Sequence, residues 1–401
     1  MSILKILFLA NRLPYPPYRG DKLKIYNLAK RLCHQHELHL LTFVQNEEDK
    51  QYVKELEQVF KCVHVVSLPK WSSALHCLAG LWSKKPFQVH YFSSKAMRNQ
   101  LKEIISENNF DAIHVQHLRM AQYLHKEQHI PRILDLPDAF SLYWQRKQAH
   151  ASNPILKWLE GIEQSRVYQY ERILASYNLS LVCSTEDQAY LVREHHLNNI
   201  ALLPNGVATD TFAPQDHDYS HNHTLLFTGN MDYKPNVDAV IYFTTSILPL
   251  IQERFPQIRF IIAGQRPVAK VLALTNEHVI VTGFVPDMAA QYNEASVVVA
   301  PLRFGAGTQN KVLEAMSMGV PVVCSHIGFN GLGIASGEGA IMQTDTNAFA
   351  ASVIDLLSSA TLRQSVGTKG IALIQKRYAW DIIAAQLNQY FHQITAQQKS
   401  S

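Results

Sequence analysis

A chain of 401 residues exceeds one typical core, so two domains are expected, and 47% apolar against 17% charged residues describes an ordinary globular protein. Five scattered cysteines, odd in number and without Cys-x-x-Cys spacing, argue against a disulfide framework or zinc site and for reduced thiols in a cytoplasmic protein. The net charge of +4 divides into +8 over residues 1–180 and −4 over the rest; the basic half suits an anionic membrane surface, a lipid phosphate or a polyanion, unless its charges are merely solvated.

The opening run ILKILFLA is apolar but short, and Asn11-Arg12 follows without a small-residue cleavage site. It reads as a buried strand over 3–10 rather than a leader. The loop NRLPYPPYRGDK then leads into helical spacing over 22–33. Gly20 in such a strand-to-helix loop can bring backbone N–H groups to a phosphate. No Gly-x-Gly-x-x-Gly follows the first strand, which argues against a nicotinamide or flavin enzyme. Further strands are expected at 37–43, 62–67, 112–115, 132–136 and 179–183, with helical spacing over 47–60 and a long helix over 154–176 behind its own proline. Short apolar runs alternating with helices make an α/β chain with parallel strands.

Three stretches of this half carry candidate chemistry. WSSALHCLAGLWSKKPF at 71–87 places Trp71, Leu75, Leu78 and Trp82 on one helical face ahead of Lys84 and Lys85. It is either an interfacial segment for anionic lipid or a buried core helix. DAIHVQH at 111–117 holds His114, read as a core histidine, and His117, which lies at the strand end. In LDLPDAFS at 134–141, Asp135 and Asp138 could orient an acceptor hydroxyl, although Asp138 reads better as a helix cap.

LPNGV at 203–207 and the polar stretch 214–223 read as a linker. Its His217, His221 and His223 lack a carboxylate or cysteine at ligand spacing, and no metal is expected there. Strands are then expected at 224–228, 259–263, 279–281, 296–300 and 321–324, and helices at 236–254, 288–293, 310–318 and 348–358. The final residues 397–401 should fray. No run of 18 apolar residues occurs, so no membrane span is expected.

The most informative stretch is APLRFGAGTQNKVLEAMSMGVPVVC at 300–324. A glycine-rich turn (Gly305, Gly307, Thr308) precedes a helix that carries Asn310, Lys311 and Glu314. Glycines admit an anion close to backbone N–H groups, and the helix starting near Thr308 aims its positive end at it. Glu314 lies on the same side as Lys311 and can accept two hydrogen bonds from a ribose diol. An ordinary surface helix after a glycine turn is the alternative.

LEAMSMGVPVV resembles the donor motif of the family-4 retaining glycosyltransferases, with Glu314 on the second glutamate of its E-x7-E. Ala306 stands where the first glutamate would be, and the chain looks like the variant G-x-G-T-x-x-K-x-x-EAM. PNGVATDTFAP resembles the family's hinge, and the loop at Gly20 resembles its P-P-x-x-G-G loop with Asp21 for the second glycine. TGNMDYKPNVDAV retains Gly229 and Lys234 of the diphosphate site but has Asn230 for the usual arginine. DAIHVQH resembles D-x-V-H-x-H, with Gln116 at the second histidine and His117 one residue beyond. The wording LPYPPYRGDKLKIYNL is similar to a branch associated with bacterial exopolysaccharide and exosortase (PEP-CTERM) gene clusters.

The resemblance implies a GT-B fold: two Rossmann-like parallel-sheet domains facing a central cleft, 1–204 on the acceptor side and 205–376 binding the nucleotide sugar. A last helix, 377–401, would cross back to the first domain. It implies transfer of a hexose-type sugar from a nucleoside diphosphate sugar to a glycan or lipid-linked acceptor, with front-face attack, no metal and no other cofactor. Catalytic roles fall on His117, Lys311 and Glu314; donor contacts fall on Gly20, Gly229, Lys234, Gly305, Gly307, Thr308 and Asn310. The protein is expected in the cytoplasm, peripheral to the inner membrane face, with no nucleic-acid partner. A nucleotide-sugar epimerase of the same fold is one alternative. A non-catalytic binding or scaffold subunit, favoured by Ala306 and Asn230, is another.

Overall fold

The structure, a computed structural model, describes residues 2–17, 20–124, 129–149, 153–214, 218–221, 223–305 and 309–400, without the side chains of 399 and 400. The chain divides into two compact units, Met1–Pro204 with Ile383–Ser401, and Asn205–Ile382.

The first unit is built on seven strands: β1 (Lys5–Ala10), β2 (Glu37–Val44), β3 (Cys62–Ser67), β4 (Ala112–Gln116), β5 (Arg132–Asp135), β6 (Leu179–Val182) and β7 (Ile200–Leu202). They lie in the order β3-β2-β1-β4-β5-β6-β7, every pair parallel. The second unit has six: β8 (Thr224–Thr228), β9 (Arg259–Ala263), β10 (Val279–Gly283), β11 (Val297–Ala300), β12 (Val322–Cys324) and β13 (Ala340–Met342). Their order is β10-β9-β8-β11-β12-β13, again all parallel. Each is a Rossmann-like sheet whose order reverses beside its first strand, between β1 and β4 or β8 and β11. Loops leaving the strand ends at that reversal form the ligand crevice of such folds.

The continuous apolar runs follow from burial on both faces. Along β8, Leu225 and Phe227 enter one core cluster and Leu226 the other, because successive side chains alternate.

Several helices differ from expectation. The pattern over 47–60 resolves into a 3-10 turn, Glu47–Tyr52, and the short helix Val53–Leu56, of which Leu56 alone is buried. The single helix expected over 236–254 is Lys234–Tyr242 and Leu248–Gln252 joined through a π turn, Phe243–Ile247. Pro249 has no N–H for the ladder, so the turn widens there. The helix Pro154–Tyr170 gives way to a 3-10 turn before 176. The last helix is Trp380–Ser400, and from Ile383 onward it belongs to the first unit.

Candidate functional site

β11 leads through a loop to the helix Asn310–Ser317; Gly307 and Thr308 lie outside the described residues, and Gly305 has φ 143°. Gln309 caps the helix, so it begins two residues after Thr308. Six of its eight residues are buried, which carries a lysine into the interior with the apolar side chains. Lys311 Nζ donates to Asn236 Oδ1 at 3.1 Å and lies 4.9 Å from the Phe227 ring centre. Among the described residues no carboxylate is within ion-pair distance of it. Burial pushes its pKa down to about 8, with Glu314 pulling the other way.

Lys311 and Glu314 share a helix side but do not pair directly. The Tyr292 hydroxyl donates to Glu314 Oε2 at 2.8 Å and lies 2.7 Å from Thr228 Oγ1. Burial raises the Glu314 pKa, opposed by Tyr292 and Lys311. Asn310 Oδ1 accepts from Asn205 Nδ2 at 3.0 Å, tying the helix start to the first residue of this unit.

The loop after β8 supplies the other wall. Gly229 has φ 151° and Gly264 φ 152°; a Cβ on Gly264 would lie 1.7 Å from the Gly229 carbonyl oxygen. The two backbones meet without room for a side chain. Asn236 braces this loop: its Nδ2 donates to Asn230 O at 3.0 Å while its Oδ1 holds Lys311. Asn230 turns its own side chain to Gln265, 2.9 Å away. Lys234 opens the helix Lys234–Tyr242 and is exposed. Arg303 forks onto the Asp238 carboxylate, fastening the loop before Gly305 to that same helix.

In the first unit, Lys24 Nζ meets Asp135 Oδ1 at 2.6 Å, Leu203 O at 2.8 Å and Cys183 Sγ at 3.5 Å. Burial would lower Lys24 and raise Asp135, but their mutual attraction overrides it and moves each the opposite way. Asp135 is thus held by Lys24. The helix cap expected of Asp138 goes elsewhere, since the Ala139 N–H donates to Asp187 Oδ1 at 3.0 Å. Burial, then Asp187, pushes Asp138 up to about 7.

His114 is fully buried, 4.8 Å from the Phe8 ring and 6.2 Å from Phe391. β4 ends at Gln116, and His117 follows with φ 81°, outside the strand's alternation. Its ring lies 4.5 Å from Phe140, and Arg119 Nε donates to its Nδ1 at 3.0 Å. Burial, then Arg119 and Arg12, holds it well below the usual histidine range, as a neutral imidazole.

Gly20 opens the helix Gly20–Leu32, and the Asp21 carboxylate takes the Lys22 N–H at 3.1 Å. In the linker, His217 lies outside the described residues, and the Asp218 carboxylate is 3.1 Å from His221, a neighbour the sequence reading overlooked. His39, Cys62 and His64 bring ligand-type atoms within 4.8 Å of one another early in β2 and β3. They do not belong to the strand-end crevice.

Residues 222–359, which include β8, β11 and the Lys311 helix, match the family described as "Glycosyl transferases group 1". The chain is a glycosyltransferase of the GT-B fold. This glycosyltransferase is 22% identical over 396 residues to an uncharacterized 44.6 kDa protein in the cps region of Klebsiella pneumoniae, covering 93% of this chain and 96% of that one. It is 28% identical over 202 residues to a phosphatidyl-myo-inositol mannosyltransferase of Mycobacterium leprae, covering 48% of this chain and 53% of that one. Sucrose-phosphate synthase from Thermosynechococcus elongatus superposes with a TM-score of 0.72 at 16% identity, over 98% of this chain and 99% of that one. Anabaena HepE in complex with UDP-glucose superposes at 0.70 and 14% identity, over 97% and 100%.

Sequence reasoning missed Asn236, Tyr292 and Gly264, which hold the site residues from distant parts of the chain. It also missed Asn11, just after β1, fully buried with neither side-chain amide atom bonded among the described residues. An orphaned buried amide calls for a ligand or an ordered water. Its only sequence signal was a polar residue closing an apolar strand.

Proposed function

We propose that this glycosyltransferase is a retaining enzyme. It moves a hexose-type sugar from a nucleoside diphosphate sugar to a glycan or lipid-linked acceptor in polysaccharide biosynthesis. Lys311 carries the reading. An ammonium buried against one amide oxygen and an aromatic ring is undercompensated until an anion reaches it. The donor diphosphate is that anion. Glu314, one helical turn further on, keeps Oε1 for a ribose diol while Tyr292 holds Oε2. The UDP-glucose bound by the Anabaena neighbour and the capsule-region setting of the Klebsiella relative support the donor class and the pathway class.

In the reaction, the bond from the anomeric carbon to the diphosphate oxygen breaks as the acceptor oxygen bonds to that carbon on the same face. The acceptor's proton passes to the departing phosphate oxygen. Lys311 and Lys234, with the amides of the Gly305 loop, stabilise the charge gathering there. His117, neutral at the end of β4 and met by Arg119 at both ring nitrogens, exchanges one of those contacts for a donor hydroxyl, giving a hydrogen bond rather than a charge. No metal enters this scheme, and a cytoplasmic donor pool would feed it.

A panel of nucleoside diphosphate sugars, followed by melting temperature and by turnover, tests the reading. One donor should stabilise the protein and be consumed with its anomeric configuration kept. Stabilisation without turnover would make the chain a binding subunit, inversion would remove the retaining mechanism, and release of a C2-epimerised sugar would make it an epimerase.

A further inference from the structure

The first unit carries two helices turned inside out. On the helix Lys70–Ala79 the one buried side chain is Ser73, while Trp71, Leu75 and Leu78 face solvent. Leu81 and Trp82, in the turn that follows, are exposed as well, Trp82 at 88%. Positions 71, 75, 78 and 82 form one helical stripe, so the apolar face points outward and a hydroxyl inward. The helix Pro154–Tyr170 repeats the inversion: Glu163 is buried with Val167, whereas Ile155, Leu156, Trp158 and Leu159 are exposed, Trp158 at 65%. These nine residues are more than half of the seventeen large apolar side chains exposed among the described residues.

The two segments are joined. The Phe87 N–H donates to Glu163 Oε1 at 2.8 Å, Arg166 Nη2 donates to Leu81 O at 2.5 Å, and the Arg166 guanidinium covers the Phe87 ring at 4.8 Å. Glu163 and Arg166 therefore fasten the second helix to the stretch that follows the first, Leu81 and Phe87, while the inward Ser73 hydroxyl has no partner among the described residues. Two apolar faces left open to water on linked segments are unfavourable unless something covers them.

Its charge identifies the cover. Lys70, Lys84, Lys85 and Lys157 are exposed beside the patch, and none is ion-paired among the described residues. Residues 70–85 and 153–159 contain no Asp or Glu. Exposed tryptophans with exposed lysines close by in sequence match the head-group layer of an anionic bilayer, where indoles sit at the interface and ammonium groups meet lipid phosphate. Among the described residues no helix is long and apolar enough to cross a membrane, so the contact is peripheral.

We infer that Trp71–Trp82 and Ile155–Leu159 form one bipartite surface that seats the first unit on an anionic lipid membrane. The surface needs no assumption about donor or acceptor, so it stands or falls separately from the sugar-transfer reading.

Sedimentation of the full-length protein with phosphatidylglycerol and with phosphatidylcholine vesicles tests it. Binding to phosphatidylglycerol should be at least about tenfold tighter and should weaken as salt rises. Replacing Trp71, Trp82 and Trp158 together by serine should release the protein without lowering its melting temperature. A second variant, Lys84→Glu with Lys85→Glu, should release it too and leave the apolar face intact. Equal binding to both vesicles, no binding to either, or unchanged binding by either variant would overturn the inference. So would light scattering that shows a dimer in solution dissociated by the tryptophan variant, since the patch would then face a second copy of this chain.

Discussion

Lys24 and Lys311 are both buried, yet Lys24 directs its protons to Asp135, Cys183 and Leu203, while Lys311 has Asn236 alone among the described residues. The difference separates a structural cation from one that waits for a ligand. Lys24→Met should destabilise the first unit by about 3–5 kcal/mol, because it strips the buried Asp135 carboxylate of its ammonium and leaves it only His114 Nε2, 3.4 Å away. Lys311→Met should hold or raise the melting temperature while turnover falls roughly 10²-fold or more. The pH dependence has a defined sign. Lys311 is depressed to about 8 in the fold, so between there and its ordinary value of 10.5 the unfolded chain binds more protons. Its contribution to stability therefore improves as pH rises through that window, and Lys311→Met should flatten the slope in unfolding measured at pH 7–10.5. Glu314→Gln keeps an acceptor for Tyr292 but loses the charge offered to a ribose. Affinity for a nucleoside diphosphate should drop by about 2–3 kcal/mol, roughly 30- to 150-fold. Wild-type protein that binds ribo- and 2′,3′-dideoxy nucleotides equally would reduce Glu314 to a partner of Tyr292.

At the scale of elements, most strands were legible as apolar runs, including the three-residue β12 within Pro321-Val-Val-Cys324, but two short ones were not. β7 and β13 have three residues each, too few for a periodic signal, and are specified by parallel pairing with β6 and β12. Helix boundaries moved where a proline or a polar run interrupted the ladder, as at Pro249 and over Glu47–Tyr52. The spacing of Lys311 and Glu314 could be read from the sequence because both lie on one helix. Their partners could not, since Asn236 is 75 residues from Lys311 and Tyr292 is 22 from Glu314. Gly264 was silent for the same reason: what it touches is Gly229, at the end of the neighbouring strand. Gly264→Ala would drive a methyl into the Gly229 carbonyl at a φ that L residues avoid. It should cost roughly 2–3 kcal/mol or more and displace the Gly229 loop. Weaker nucleotide binding together with a lower melting temperature is the expected pair. A variant with wild-type values for both would show that β8 and β9 separate there freely.

At the scale of the molecule, the chain leaves the first unit after Pro204 and re-enters it at Ile383, so that unit is completed by residues from the far end of the sequence. Leu387, Phe391 and Ile394 are buried, and the Phe391 ring lies 6.4 Å from Phe8 and 6.2 Å from His114. Polar contacts fix the register of this helix: His36 Nε2 lies 2.8 Å from Asn388 Oδ1, and Gln386 and Tyr390 both donate to Leu202 O. Among the described residues the second unit has core clusters of its own and none of these contacts. Phe391→Ala in the full-length chain removes a large buried ring and should destabilise the first unit by about 3–5 kcal/mol. Unfolding followed by calorimetry should then split, because a two-domain chain need not melt as one. The earlier transition should move down, and the later one should stay in place and rise when nucleoside diphosphate is added. If both transitions moved together by the same amount, the two units would be one cooperative block. The C-terminal helix would then stabilise the nucleotide site as directly as it stabilises β1.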